Sequence, residues 1–286
     1  MKNLTLILIL SFLLSFISAI SAQDIIGDVD IKANHNLLGQ IPNNVQNIPE
    51  VIISRSQYVI SYNRTKREMN WASWRVSPSS LGHSGRVGQF AVDPDLENYL
   101  STYSEHAVGP TDYRGTCYDR GHQIPSGDRT SSPQANNEVF LMSNMIPQTA
   151  FLNKGAWENL ESHIRDRVSS ESLNAYVIAG PIFDQDFGAI GPNHDIVVPS
   201  KNFKIVIFLD PDQTISDITP KTEVIAVVMP NILSSGKAPT EDRKELCDEA
   251  KKGPPIRTSW QEYKSTITKI ETLSGFKFPA LEKVKR

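Results

Sequence analysis

The chain has 286 residues, of which 39% are hydrophobic and 21% charged. That composition supports a substantial core and excludes disorder over most of the length, and the size suits one large domain or two small ones. With 29 Lys and Arg against 32 Asp and Glu, the formal net charge of −3 argues, taken alone, against a surface built for a polyanion.

Residues 1–22 read as a secretory signal peptide. Met1 and Lys2 give a positive end, Leu4 to Ile20 are apolar apart from Thr5, Ser11, Ser15 and Ser18, and small Ser21 and Ala22 follow. The apolar run is about the minimum for a bilayer span and lacks a basic stop-transfer flank, so a membrane anchor is the weaker reading. Cleavage after Ala19, Ser21 or Ala22 stays open. The expected mature protein is soluble and exported: secreted, or periplasmic in a bacterial source, with no membrane attachment. Loss of Lys2 takes its net charge to −4.

Residues 23–50, rich in Asn, Ile, Asp and Pro, read as an extended N-terminal arm, and residues 51–286 as the main domain. Aromatic and β-branched runs predict strands at 51–53, 58–62 and 71–76. Residues 77–137 hold many Gly, Pro, Ser and Asp, and a loop-rich stretch of that length is usually functional or partly disordered. Leu152, Ala156, Leu160, Ile164 and Val168 recur every four residues and predict the best helix in the chain. Strands follow at 175–179, 195–198, 204–209 and 224–229, then a closing amphipathic helix over 259–273 with Gly275 as its stop. Strand groups separated by a helix, without strict βαβ alternation, indicate an α+β fold.

The charge is unevenly spread. Residues 55–86 carry Arg55, Arg64, Lys66, Arg67, Arg75 and Arg86 against Glu68, and residues 251–286 carry nine basic residues against Glu262, Glu271 and Glu282. A weakly acidic protein with such basic strips can hold a polyanion transiently and release it. In an exported chain, Cys117 and Cys247 favour a disulfide over free thiols, and no CxxC or HxxxH spacing points to zinc. Asn63-Arg64-Thr65 is a glycosylation sequon, relevant only in a glycosylating host.

The densest chemistry lies at Asp119-Arg120-Gly121-His122, an acid, a guanidinium, a hinge and an imidazole in four positions. Such a tetrapeptide can arise by chance as an ordinary turn. Downstream come Ser143-Asn144 with Pro147-Gln148, then Leu152-Asn153 with Ala156-Trp157 and Leu160-Glu161. In these linked motifs, in their order and separations, the chain resembles the DNA/RNA non-specific endonucleases of the ββα-metal superfamily. Weaker similarity runs through Ala179-Gly180-Pro181, Val198-Pro199 and Phe203-Lys204, so that it covers most of residues 58–278.

The resemblance implies an antiparallel sheet flanked by helices, with a ββα-metal finger carrying His122 and Asn153. The chemistry of the residues agrees. His122 suits a general base near neutral pH, and Arg120 can present paired donors to phosphate. Asn153 offers a neutral hard oxygen to Mg²⁺, with Mn²⁺ or another divalent cation as alternatives, though the start of a helix also suits an N-cap. On a regular helix Glu161 would lie about 12 Å along and about 80° around from Asn153, which leaves it a contact through a metal-bound water. The family match makes Asn144 a supporting hydrogen-bonding residue. Asp119 is expected to hold the loop and Trp157 to be core. The family's upstream phosphate-binding Arg has Arg86 as its candidate, at a spacing that does not fit cleanly; Arg114 and Arg129 are alternatives. The implied activity is cleavage of DNA and RNA through contacts to the phosphate backbone. A hydrolase of other phosphodiesters, a non-catalytic binding protein and a toxin-like nuclease are the rivals. The oligomeric state stays open, with a homodimer one option.

Overall fold

The computed structural model describes residues 23–285, so the signal-peptide expectation for residues 1–22 lies outside the described residues. The strands that carry the architecture are β1 (Ile25–Gly27), β2 (Val51–Ser54), β3 (Val59–Asn63), β4 (Glu68–Val76), β5 (Asp119–His122), β6 (Met145–Gln148), β7 (Asn174–Ile182), β8 (Lys201–Leu209) and β9 (Val224–Pro230). One seven-stranded sheet runs β1-β2-β3-β4-β7-β8-β9. It is antiparallel throughout except where β1 lies parallel to β2. The architecture is α+β. β5 and β6 form a separate antiparallel pair.

Both faces of the sheet are covered, which is why its central strands read as apolar runs rather than as clean alternation. Successive residues point to opposite faces. In β8, Val206 and Phe208 pack with Leu160, Ile164 and Val168 of helix α3 (Glu158–Glu171) on one side. Phe203, Ile205, Ile207 and Leu209 pack with Ile267, Ile270, Phe276 and Phe278 on the other. The parity of the strand sends Lys204 to the α3 side, into an otherwise apolar row. Truncating a contact such as Leu160, which is fully buried, should cost about 2–5 kcal/mol. Gly180 in β7 is obligatory, because a Cβ there would sit 2.5 Å from the Asn70 carbonyl oxygen of the adjoining strand.

The expected arm is sewn into the domain. β1 pairs with β2, Asn43–Asn44 pairs with Phe276–Lys277, and Leu37 and Leu38 are buried. The loop-rich stretch contains α1 (Pro94–Ser101), β5 and α2 (Pro133–Glu138). The closing helix is broken. Trp260–Tyr263 form a 3₁₀ turn, the Ser265 amide donates to the Ala226 carbonyl at the sheet edge, and helix starts again only at Ile267 under a Thr266 cap. One helix, α4 (Arg243–Lys252), has no counterpart among the elements expected from sequence; of its residues only Leu246 and Glu249 are buried, so its apolar stripe is nearly absent. α5 (Ile267–Ser274) then covers the second face.

Cys117 and Cys247 are joined, with Cα atoms 4.9 Å apart, which staples α4 to the segment just before β5. Asn63 is 1% exposed and donates to Asn70 Oδ1 while its own Oδ1 accepts from Thr65, so the sequon is closed to glycosylation in the folded chain.

Candidate active site

β5 and β6 pair with Asp119 opposite Gln148 and His122 opposite Met145, and the chain then turns directly into a helical segment. Gly121 is required here: a Cβ would lie 2.2 Å from Gln148 Oε1, on a side chain that is itself fully buried. Thr149 starts the helical segment, its hydroxyl accepting from the Leu152 amide. Asn231 holds the turn in place, accepting from the Thr149 amide and donating to the Pro147 and Pro199 carbonyls. β5, the turn after it and the helical segment through α3 frame a cleft of about 310 Å³.

Arg86, Arg120 and His122, with Pro125, Ser126 and Gly127, line it together with Asn153, Lys154, Glu158, Glu161 and Arg165 from the helical segment. His122 is 8% exposed, its ring wedged against Phe140 and Phe90 at centroid distances of 4.8 and 5.6 Å. Its carbonyl accepts from the Trp157 indole at 3.2 Å. Burial first, and then the Arg86 charge, push the imidazole pKa down to about 3, against an opposing backbone bond at Arg120. The ring is therefore neutral near pH 7, and Nε2 is buried with no protein partner among the described residues. Arg120 spends one terminal nitrogen on the Pro110 carbonyl at 2.8 Å and stacks 4.9 Å over Phe90. Arg86 stacks 4.7 Å over Phe140.

Asn153 is not the N-cap; it has helical angles, and Thr149 caps the start in its place. Its Nδ2 donates to Asp119 Oδ2 at 2.9 Å, and the same oxygen lies 3.3 Å from Lys154 Nζ. Asp119 therefore fixes which way the amide faces, leaving Oδ1 for the cleft. Residues Asn153–Trp157 are a kink between two helical stretches, with Gly155 outside the helical region at φ −115°, ψ −116°. The regular helix on which Asn153 and Glu161 stand about 80° apart is therefore interrupted between them, and both side chains line one cleft.

Glu161 is 9% exposed, and desolvation lifts its carboxyl pKa to about 7, opposed chiefly by Lys204. Lys204 Nζ lies 3.4 Å from Glu161 Oε1 and 3.8 Å over the Trp157 ring, fully buried, with its own pKa lowered by desolvation. Behind them buried Asp128 accepts from the Trp74 indole at 2.8 Å and from Arg165 at 3.1 Å. Asn144 does not line the cleft. It is fully buried and bonds both the amide and the carbonyl of Ile124 and the carbonyl of Val139.

A profile of the DNA/RNA non-specific endonucleases matches residues 35–284. A nuclease from Nostoc sp. is 34% identical over 230 residues, covering 79% of this chain and 72% of its own. The chain belongs to the DNA/RNA non-specific endonuclease family. Human mitochondrial endonuclease G is 33% identical over 166 residues, which are 54% of this chain and 53% of that protein. The solved structure of an EndoG/EndoGI complex superposes with a TM-score of 0.60 at 24% identity, covering 84% of this chain and 92% of that one, and shows a shared fold. Membership makes the chain an endonuclease that hydrolyses nucleic acids.

Seen as a family site, the cleft gathers His122, Arg120, Arg86, Asn153 and Glu161. Arg129 is not available to it: that side chain is buried and bonds the Gln57 and Asp128 carbonyls. Arg114 is exposed and does not line the cleft. Sequence reasoning missed Lys204, Asp128 and Arg165. Lys204 left one signal, a charge inside the otherwise apolar run Phe203 to Leu209.

Proposed function

We propose that this endonuclease is a divalent-metal-dependent, sugar-non-specific phosphodiester hydrolase that acts after export. The observation that carries the reading is a neutral imidazole with an unpartnered Nε2, on a residue that lines one cleft with Asn153, Glu161 and several cations. Among the described residues no group of three or more His, Cys, Asp or Glu could cage a metal. Mg²⁺ tolerates that, since it keeps several waters and takes few protein ligands; Mn²⁺ fits the same oxygen donors. Asn153 Oδ1 would hold the ion directly and Glu161 through a water. When bound, the ion supplies a Lewis acid for charge on the phosphoryl and leaving oxygens.

The remaining work falls to the chain. The His122 imidazole takes the proton of a water attacking phosphorus in line, and the P–O3′ bond breaks to leave a 5′-phosphate and a 3′ oxygen that is protonated to the hydroxyl by solvent. The ring can do so because burial keeps it unprotonated beforehand. Arg120 and Arg86, both stacked on aromatic rings, hold the non-bridging oxygens in a fixed orientation. Contacts to phosphate rather than bases make cleavage indifferent to sequence and to sugar. The disulfide supports export, as does the signal-like start. No helix among the described residues is long and apolar enough to cross a membrane. We take residues 51–286 as the main domain, with 23–50 packed against it as its N-terminal border.

The test is cleavage of plasmid DNA and structured RNA with Mg²⁺, with EDTA, and by Asn153→Ala and His122→Ala proteins. Loss of both substrates only with metal, and strong reduction in both variants, is the expected result. Full turnover by His122→Ala would overturn the mechanism.

A further inference from the structure

We propose that residues 251–258 form a stiff cationic strap that binds backbone phosphates of a polynucleotide beyond the bond being cut. The proposal rests on the nuclease reading of the cleft and adds to it a second place where substrate is held.

Position is the first argument. The strap is tethered at both ends to the helical wall of the cleft. At its start the Ala250 carbonyl faces Lys154 Nζ at 3.5 Å, and at its end the Thr258 carbonyl accepts from Asn159 Nδ2 at 3.3 Å. Arg257 reaches Glu158 at 3.8 Å between them. Lys154 and Glu158 themselves line the cleft, so the strap runs along its outer rim. A single phosphate held by Arg120 and Arg86 lies inside; only a chain of phosphates extends far enough to meet both.

Stiffness is the second. Gly253, at φ +82°, ends α4, and Pro254 and Pro255 follow with their φ angles locked. The disulfide at Cys247 anchors the helix from which the strap emerges. Little freedom is left to be lost when a ligand binds.

Charge is the third. Lys251, Lys252 and Arg257 are exposed, and no acidic residue occurs from 250 to 261. Lys251 has no ion-pair partner among the described residues. Lys252 shares Asp248 at 3.5 Å, and the Arg257 pair with Glu158 is exposed on both sides. Long, solvated pairs of this kind hold weakly and can be exchanged for phosphate. The two lysines also complement the C-terminal end of the α4 dipole, but Arg257 lies well past the helix and has no such reason to be there.

The test compares wild type with Lys251→Ala/Lys252→Ala/Arg257→Ala on long duplex DNA, structured RNA and bis-p-nitrophenyl phosphate. Binding to the two polymers in EDTA is followed from low to moderate salt. The variant should show a salt slope shallower by about two to three, since each duplex phosphate that is no longer neutralised lowers the slope by about 0.9. KM on the polymers should rise several-fold, with turnover of the small diester unchanged. A Lys251→Arg/Lys252→Arg/Arg257→Lys protein should restore the slope. An unchanged slope in a wild type that cuts DNA would overturn the strap and leave the nuclease reading standing. A parallel loss on the small diester would also overturn it, by showing damage to the cleft wall. A wild type that cuts none of the substrates would remove the nuclease reading and the strap together.

Discussion

Asn144→Ala should unfold the protein earlier and disable it at the same time, although this residue does not line the cleft. The buried amide satisfies three backbone groups: the Ile124 amide at 2.9 Å, the Ile124 carbonyl at 2.9 Å and the Val139 carbonyl at 2.8 Å. Its backbone carbonyl also accepts from the Gln123 amide, and that bond survives the substitution. A buried polar group left without a partner costs about 1–3 kcal/mol, and a water entering the small void would rescue part of that. The net loss should be about 3–5 kcal/mol, a large share of the roughly 5–15 kcal/mol that holds a domain folded. In a protein of this size that corresponds to a fall in Tm of roughly 10 °C. Because Gln123 and Ile124 directly follow His122, a displacement there of about 1 Å would also cost on the order of 100-fold in kcat. Thermal denaturation and steady-state cleavage of plasmid DNA, read on the same preparation, measure both. A variant with wild-type Tm and kcat would refute the assignment of Asn144 as the clamp that positions His122.

Three further outcomes are expected. The His122 pKa falls from 6.5 to about 3 on folding, so the unfolded chain binds the extra proton first and stability is lost as pH drops from 6.5 towards 3. The loss should reach about 4–5 kcal/mol, and a His122→Gln protein should show a flatter denaturant midpoint across that window; parallel profiles would contradict the buried neutral ring. In a double-mutant cycle on Lys204→Met and Glu161→Gln, urea unfolding should give a coupling of about 1–3 kcal/mol, since either single change strands a buried partner. Additive effects would show the pair to be unimportant. Asp119→Ala frees the Asn153 amide to rotate and should weaken Mg²⁺ binding by about 10–100-fold in calorimetry, with equal affinity counting against the amide's orientation by Asp119.

Much of this was legible in the sequence because it depends on local pattern. Every strand of the sheet except β1 announces itself through aromatic and β-branched runs, and α3 through its fourfold apolar spacing. The linked motifs from Asp119 to Glu161 picked out, without any coordinates, Arg120, His122, Asn153 and Glu161, which line one cleft. α4 was invisible because a mostly exposed helix needs almost no apolar stripe, and the closing helix was overextended because Ser265 pairs with the sheet edge.

The sequence by itself carried the resemblance that identifies the family, pointed to the α+β class and named the short segments where chemistry is expected, since all three rest on local residue pattern. Tertiary structure alone decided how the side chains meet. The kink at Asn153–Trp157 interrupts the helix between Asn153 and Glu161, and both side chains line one cleft. The parity of β8 sends Lys204 under Glu161 from a strand distant in sequence. Burial between Phe90 and Phe140, with Arg86 nearby, keeps the His122 ring neutral, and desolvation is a property of the packed interior that no stretch of sequence carries.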